Sequence, residues 1–182
     1  MTDAETSRAG PRWSLRLLDG WQLLRGEEVV HVSSREQRML SLVALCGQQS
    51  RPRLATLLWP DSDDSRAYGN LRTAVWRVQH QQPGVLDEES GTVRISQRTH
   101  VDVDELRRVA RQVSADGSPG ADALTVLCHG ALLPGWDEDW VVEQREVLRH
   151  VRLRALEDLA RHLLDRCDTT GALEAAMLAV TV

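Results

Sequence analysis

Residues 70–80, "NLRTAVWRVQH", decide how the rest of the chain is read. Ala67, Leu71, Ala74, Val75 and Val78 recur at the three-and-four spacing that lays side chains along one face of a helix. Trp76 falls outside that stripe. At roughly 100° per residue, the opposite side collects Gly69, Thr73, Trp76 and His80, with Arg72 and Arg77 on its borders. An indole placed there must meet something other than its own helix's core, either nucleic acid or another protein.

The surroundings of this helix bear on that choice. Between residues 65 and 80 there are three arginines, Arg66, Arg72 and Arg77, and no acid, while "DSDD" before and "DEES" after confine the positive strip. The helix is entered through "DSDDS" and ended by Pro83-Gly84. Upstream, Ser34 followed by Gln37 resembles a capping box opening a helix through Met39, Leu42, Val43, Leu45 and Cys46, stopped by Gly47. Ser50 is placed to cap a second helix with Pro52 in its first turn; Pro60 disfavours helical backbone at Trp59 and so ends it.

Ahead of the helices, "WSLRLLDGWQLLRGEEVVHV" reads as short antiparallel strands turning at Asp19-Gly20 and Arg25-Gly26. After the third helix, "VLDEESGTVRIS" reads as a two-stranded ribbon turning at Ser90-Gly91, with Val93 and Ile95 inward and Thr92 and Arg94 outward. Residues 1–12 read as a mobile tail and residues 13–100 as one domain. From residue 101 the pattern is helical only: Leu106, Val109, Ala110 and Val113; a connection "SADGSPG"; Leu124 and Leu127; a run from Trp136 through Leu163; and a last helix opening after Thr170-Gly171. Such pairs are the material of a helical-repeat array, and with no cap or breaker before Val182 the array is expected to continue.

A chain of 182 residues accommodates two small domains. Its net charge of −5 is unevenly divided: 13 Arg stand against 12 acidic residues through His100, and 9 against 15 beyond it. No apolar run reaches the length of about 18 residues that spans a bilayer, and "MTDAETSRAGPR" has no hydrophobic leader, so a cytoplasmic protein is expected. Cys46, Cys128 and Cys167, odd in number and far apart, read as small buried hydrophobes rather than disulfide or zinc ligands. The sequence carries no Gly-rich phosphate loop, no Gly-x-Ser-x-Gly and no His-Glu-x-x-His, so an enzyme is not expected, nor a cofactor or metal.

The layout of strands, three helices and ribbon resembles the winged helix of OmpR/PhoB-type regulators. "LWPD" followed by "GNLRTAVWRVQ" looks like the DNA-binding half of the Streptomyces antibiotic regulatory protein (SARP) family. "VDVDELRRVA" through "LLPGWDEDWVVEQREVLRHVRLRALEDLARHLL" is similar to the bacterial transcriptional activator domain that follows it there. The likeness covers residues 13–182. It implies an α+β winged helix-turn-helix followed by an all-α, TPR-like domain over residues 101–182, incomplete in this chain. It also implies an activator that binds promoter DNA at direct repeats near the −35 element, recruits RNA polymerase and governs secondary metabolism.

A helix of this diameter fits the major groove, where outward side chains read base edges. Arg72 and Arg77 are the candidates for guanine or phosphate, Thr73 for a thymine methyl, Trp76 for an apolar wedge, and Arg66 and Asn70 for phosphate. Thr92, Arg94 and Arg98 in the ribbon are candidates for the adjacent groove or backbone, and Arg51 and Arg53 for phosphate at the second helix's start. Asp61, Asp63 and Asp64 read first as a helix cap. In the resembled fold their loop can touch the polymerase sigma subunit; the alpha C-terminal domain is a further candidate contact, and a homodimer on DNA is possible. The acidic ribbon turn and the negative second half motivate the rival reading, a protein-interaction module of winged-helix shape that does not bind DNA. Trp13, Trp21 and Trp59 are expected in core or sheet packing, and Trp136 and Trp140, one turn apart, as an anchor between domains or within a helical pair.

Overall fold

A computed structural model describes residues 13–116, 122–128 and 130–182. The tail expected over residues 1–12, and residues 117–120 of the expected connection, lie outside them. The chain divides into two compact units: residues through Arg16 together with Trp21–Val101, and Leu17–Gly20 together with Asp102–Val182.

The first unit is α+β. Strands β1 (Trp13–Arg16), β2 (Gln22–Arg25) and β3 (Glu28–Val30) form an antiparallel meander, and β7 (Thr99–Val101) joins β1 in parallel, giving the order β3-β2-β1-β7. Gly26, at φ 65°, makes the β2–β3 turn in a region where only glycine carries no steric penalty. Helices α1 (Ser34–Cys46), α2 (Arg51–Leu58) and α3 (Asp64–Gln81) follow. A second sheet, ordered β4-β6-β5, consists of β4 (Gln49–Ser50), β5 (Leu86–Glu89) and β6 (Thr92–Ile95). β5 and β6 pair through a turn in which both Ser90 (φ 50°) and Gly91 (φ 78°) are left-handed, the requirement of a two-residue hairpin that follows strand twist.

The core of this unit is built from Leu15 and Leu23 of the meander, Met39, Leu40, Leu42 and Val43 of α1, Leu54 and Leu58 of α2, the stripe of α3, and Val93 of β6. Trp13 is buried as expected, and its Nε1 donates to the Pro83 carbonyl at 2.9 Å; Trp21 and Trp59 are only half-buried. Burial of the large aliphatic side chains, each worth about 1.5–3 kcal/mol, is what holds the helices together.

The second unit is helical: α4 (Asp102–Asp116), α5 (Ala123–Leu127), α6 (Asp139–Asp165) and α7 (Thr169–Thr181). Leu106, Val109, Ala110 and Val113 form the buried face of α4, which packs against α6, whose Leu148, Ala155, Leu156 and Leu159 are buried in turn; α7, with Ala172 and Ala175 buried, also packs on α6. The Asp102 carboxylate accepts from the amides of Leu17, Leu18 and Val103 at 2.8–3.1 Å, fastening Leu17–Gly20 to the start of α4. The Arg145 guanidinium donates to the carbonyls of Leu132 and Trp136 at 2.8 and 2.7 Å, satisfying the irregular segment before α6.

Several local expectations are corrected. Ser33, not Ser34, is the residue before α1, its side chain makes no cap bond, and Gln37 Nε2 instead donates to the Val32 carbonyl at 2.9 Å. Ser50 holds the cap position of α2 without a side-chain bond. Helix α4 runs through Ser114–Asp116, residues expected in the connection. Trp136 precedes α6 rather than lying on it, and meets the buried Trp140 edge-on at 6.4 Å between ring centroids. Gly171 lies inside the first turn of α7, which Asp168 caps by accepting from the Gly171 amide at 3.0 Å. The cysteines are not buried: Cys46, at the end of α1, is intermediate, and Cys128 and Cys167, beyond the last turns of α5 and α6, are exposed. Helix ends carry side chains out of the packed face, which hydropathy of a single residue does not reveal.

Among the described residues, no helix is long and apolar enough to cross a membrane, and no cluster of metal-ligating side chains occurs.

Candidate nucleic-acid interface

Helix α3 is started by its own acidic lead. Asp63 is the cap, its Oδ1 accepting from the Arg66 amide at 2.9 Å, and Asp64 opens the first turn near the positive end of the helix dipole. Asp61, Asp63 and Asp64 are all exposed. The buried residues of α3 are Ala67, Leu71, Ala74, Val75 and Val78, the five of the stripe.

The other side is open. Trp76 keeps 55% of its surface exposed although a core lies one helix radius away, so its indole is directed outward by the helix and not left over by loose packing. The His80 ring stacks on it, 4.2 Å between centroids, and His80 Nδ1 lies 2.8 Å from the Trp76 carbonyl, which fixes the orientation of the imidazole. Thr73 is exposed, its hydroxyl donating to the Gly69 carbonyl at 2.9 Å. Arg72 is exposed and makes no hydrogen bond or ion pair with any described residue. Asn70 is half-buried, and Arg66 is exposed with only a 4.0 Å contact to Asp63.

One exposed residue was not among the expected site residues. Tyr68 is 42% exposed and heads a row at four-residue intervals, Tyr68, Arg72, Trp76 and His80, on the open side of α3. Its four-residue spacing from Arg72 is the signal in the sequence that could have found it.

The remaining candidates are less free than their residue types suggest. Arg77 lies 3.5 Å from Glu36 of α1, whose carboxylate is buried. Glu36 was not among the expected site residues; its spacing to Leu40 and Val43, at i+4 and i+7 on one helical face, is the signal that could have found it. In the hairpin, Arg94 lies 3.6 Å from Asp87, and Thr92 accepts from Gln48 Nε2 at 2.7 Å while donating to the Glu89 carbonyl at 2.6 Å. Both are half-buried rather than fully outward. Glu88 binds Arg51 and accepts from Gln79 Nε2 at 3.0 Å, so one carboxylate links the hairpin to the start of α2 and to α3. Arg53 and Arg98 are exposed with no hydrogen bond or ion pair to a described residue.

The open side of α3 is therefore an apolar and cationic row; Arg72, Arg53 and Arg98 are exposed without a partner among the described residues, while the hairpin's acids occupy Arg51 and Arg94. Neither the models of known protein families nor the curated proteins include a match to this chain.

Proposed function

We propose that the chain is a sequence-specific DNA-binding transcriptional regulator of SARP type. In this reading the first unit is a winged helix-turn-helix, α2 and α3 its two motif helices and the β5–β6 hairpin its wing. The observation that carries it is the solvent-facing row of α3, with Trp76 and an unpaired Arg72 projecting from a helix whose core stripe is already filled. Laid in the major groove, that row presents Arg72 and Thr73 to base edges and Trp76 to sugar or thymine methyls, while Arg66, Asn70, Arg53 and Arg98 hold phosphate. The Glu36 contact sets the direction from which Arg77 reaches the backbone. The helical second unit then serves as a TPR-like activator domain that contacts RNA polymerase or a second copy of the chain, in the cytoplasm.

A protein-interaction module is the second reading, favoured by Asp87, Glu88 and Glu89 on the hairpin, which place negative charge where a wing would meet DNA. The deciding experiment is titration of the chain onto fluorescent duplex from the promoter beside its own gene, with random duplex as control, at two salt concentrations. The regulator reading expects preference for the promoter and affinity that falls steeply with salt. Equal, salt-insensitive or absent binding to both duplexes overturns it in favour of the interaction module.

A further inference from the structure

Inside the second unit lies a cavity of about 380 Å³, within the range of small-molecule sites and walled by Leu127, Leu132, Leu148 and Leu178. Among the described residues lining it, the ionisable side chains are three arginines and one cysteine, none of them acidic, in a half of the chain that is otherwise strongly acidic. Arg145 spends its donors on backbone carbonyls, and Arg149 is exposed beside Glu146 at 3.1 Å. Arg152 differs from both. It is only 9% exposed; one Nη donates to the Gly130 carbonyl at 2.8 Å, and its Nε is buried with no hydrogen-bond partner among the described residues.

A buried guanidinium donor without a partner is costly, and such a group in a native structure calls for an explanation. Burial pulls the Arg152 guanidinium down from its ordinary range, and the charges of Asp19 and Asp102 act the other way. Those two carboxylates have work of their own: Asp102 takes the amides of Leu17, Leu18 and Val103, and Asp19 takes the Gly130 amide at 3.2 Å. Arginine holds its charge under burial and presents a planar fork suited to a carboxylate.

We propose that this cavity binds a small apolar carboxylic acid, its carboxylate on Arg152 and its hydrocarbon body against Leu127, Leu132, Leu148 and Leu178. Neither the site nor its ligand depends on the DNA-binding reading, because the readout is direct occupancy. The test is calorimetric titration of the full chain with octanoate as probe, and with octanol and acetate as the two halves of its chemistry. Saturable octanoate binding is expected, with octanol weaker by about tenfold or more and acetate silent. The R152Q variant should lose the preference for octanoate over octanol, and L178W, which fills the cavity from α7, should abolish binding of both. Absence of saturable octanoate binding, octanol binding as tightly as octanoate, or undiminished binding by L178W would each overturn the proposal. The octanol comparison and L178W stand even if R152Q does not fold.

Discussion

The guanidinium of Arg77 on α3 lies 3.5 Å from the carboxylate of Glu36, which α1 holds at 5% exposure. The contact joins a buried charge to a border residue of the outward face. It makes the position of Arg77 depend on α1 as well as on α3.

That coupling separates two roles for Arg77. Arg77→Ala strands the Glu36 carboxylate and is expected to cost about 1–3 kcal/mol of stability. The double variant R77A/E36Q should recover most of that loss, because the unpaired charge is gone. If Arg77 also touches DNA, promoter affinity stays reduced in the double variant while its melting temperature recovers. Recovery of both together would assign Arg77 a purely structural role. Thermal melts and duplex titrations at matched salt, arranged as a double-mutant cycle, provide the measurement.

Arg72 gives the complementary case. With no hydrogen bond or ion pair to a described residue, Arg72→Ala should shift stability by no more than about 0.5 kcal/mol. Promoter affinity should fall by about 1–3 kcal/mol, and with it the discrimination at one base position. A competition series over single-base operator variants reads out both; unchanged affinity for all of them would remove Arg72 from the interface.

Glu88 sets the electrostatic balance of the hairpin, since it engages both Arg51 and Gln79. Glu88→Gln removes a negative charge facing the expected phosphate path and releases Arg51. Tighter duplex binding is expected, with a salt slope steeper by about one phosphate contact. Were the hairpin an interface for a basic protein partner, the same variant would leave duplex binding unchanged.

The second unit carries an acid-sensitive contact between α4 and α6. Ser114 donates to Asp158 at 2.6 Å and Arg161 donates to it at 2.8 Å, and these bonds, the one from Ser114 foremost, hold the Asp158 carboxyl below the ordinary carboxylate range. A carboxyl whose folded value is depressed stabilises the fold above its unfolded value of about 3.9, and that contribution is lost as pH falls through the lower folded value. Ser114→Ala should therefore cost about 1 kcal/mol near neutral pH. Its deficit relative to the parent should shrink below about pH 4, as followed by chemical denaturation across pH.

Much of the architecture was legible because it is local. The five-residue stripe of α3, the turns at Gly26 and Gly91, and the acidic lead into α3 follow from periodicity, from left-handed backbone that only certain residues tolerate, and from helix-end electrostatics, all of which act within a few residues. The outward placement of Trp76 was legible for the same reason. What the tertiary structure alone decided is pairing at long range, as in β7 beside β1; the one-residue shift of the α1 cap and the exposure of Cys128 and Cys167 are details of helix ends that residue type alone does not fix. The charge state of the candidate interface belongs to this second kind. Arg51, Arg77 and Arg94 read alike with Arg72, Arg53 and Arg98 in one dimension, yet the first three meet Glu88, Glu36 and Asp87 in three. Periodicity tells a side chain which way to face; only the packing of separate segments tells an arginine whether a carboxylate is waiting there.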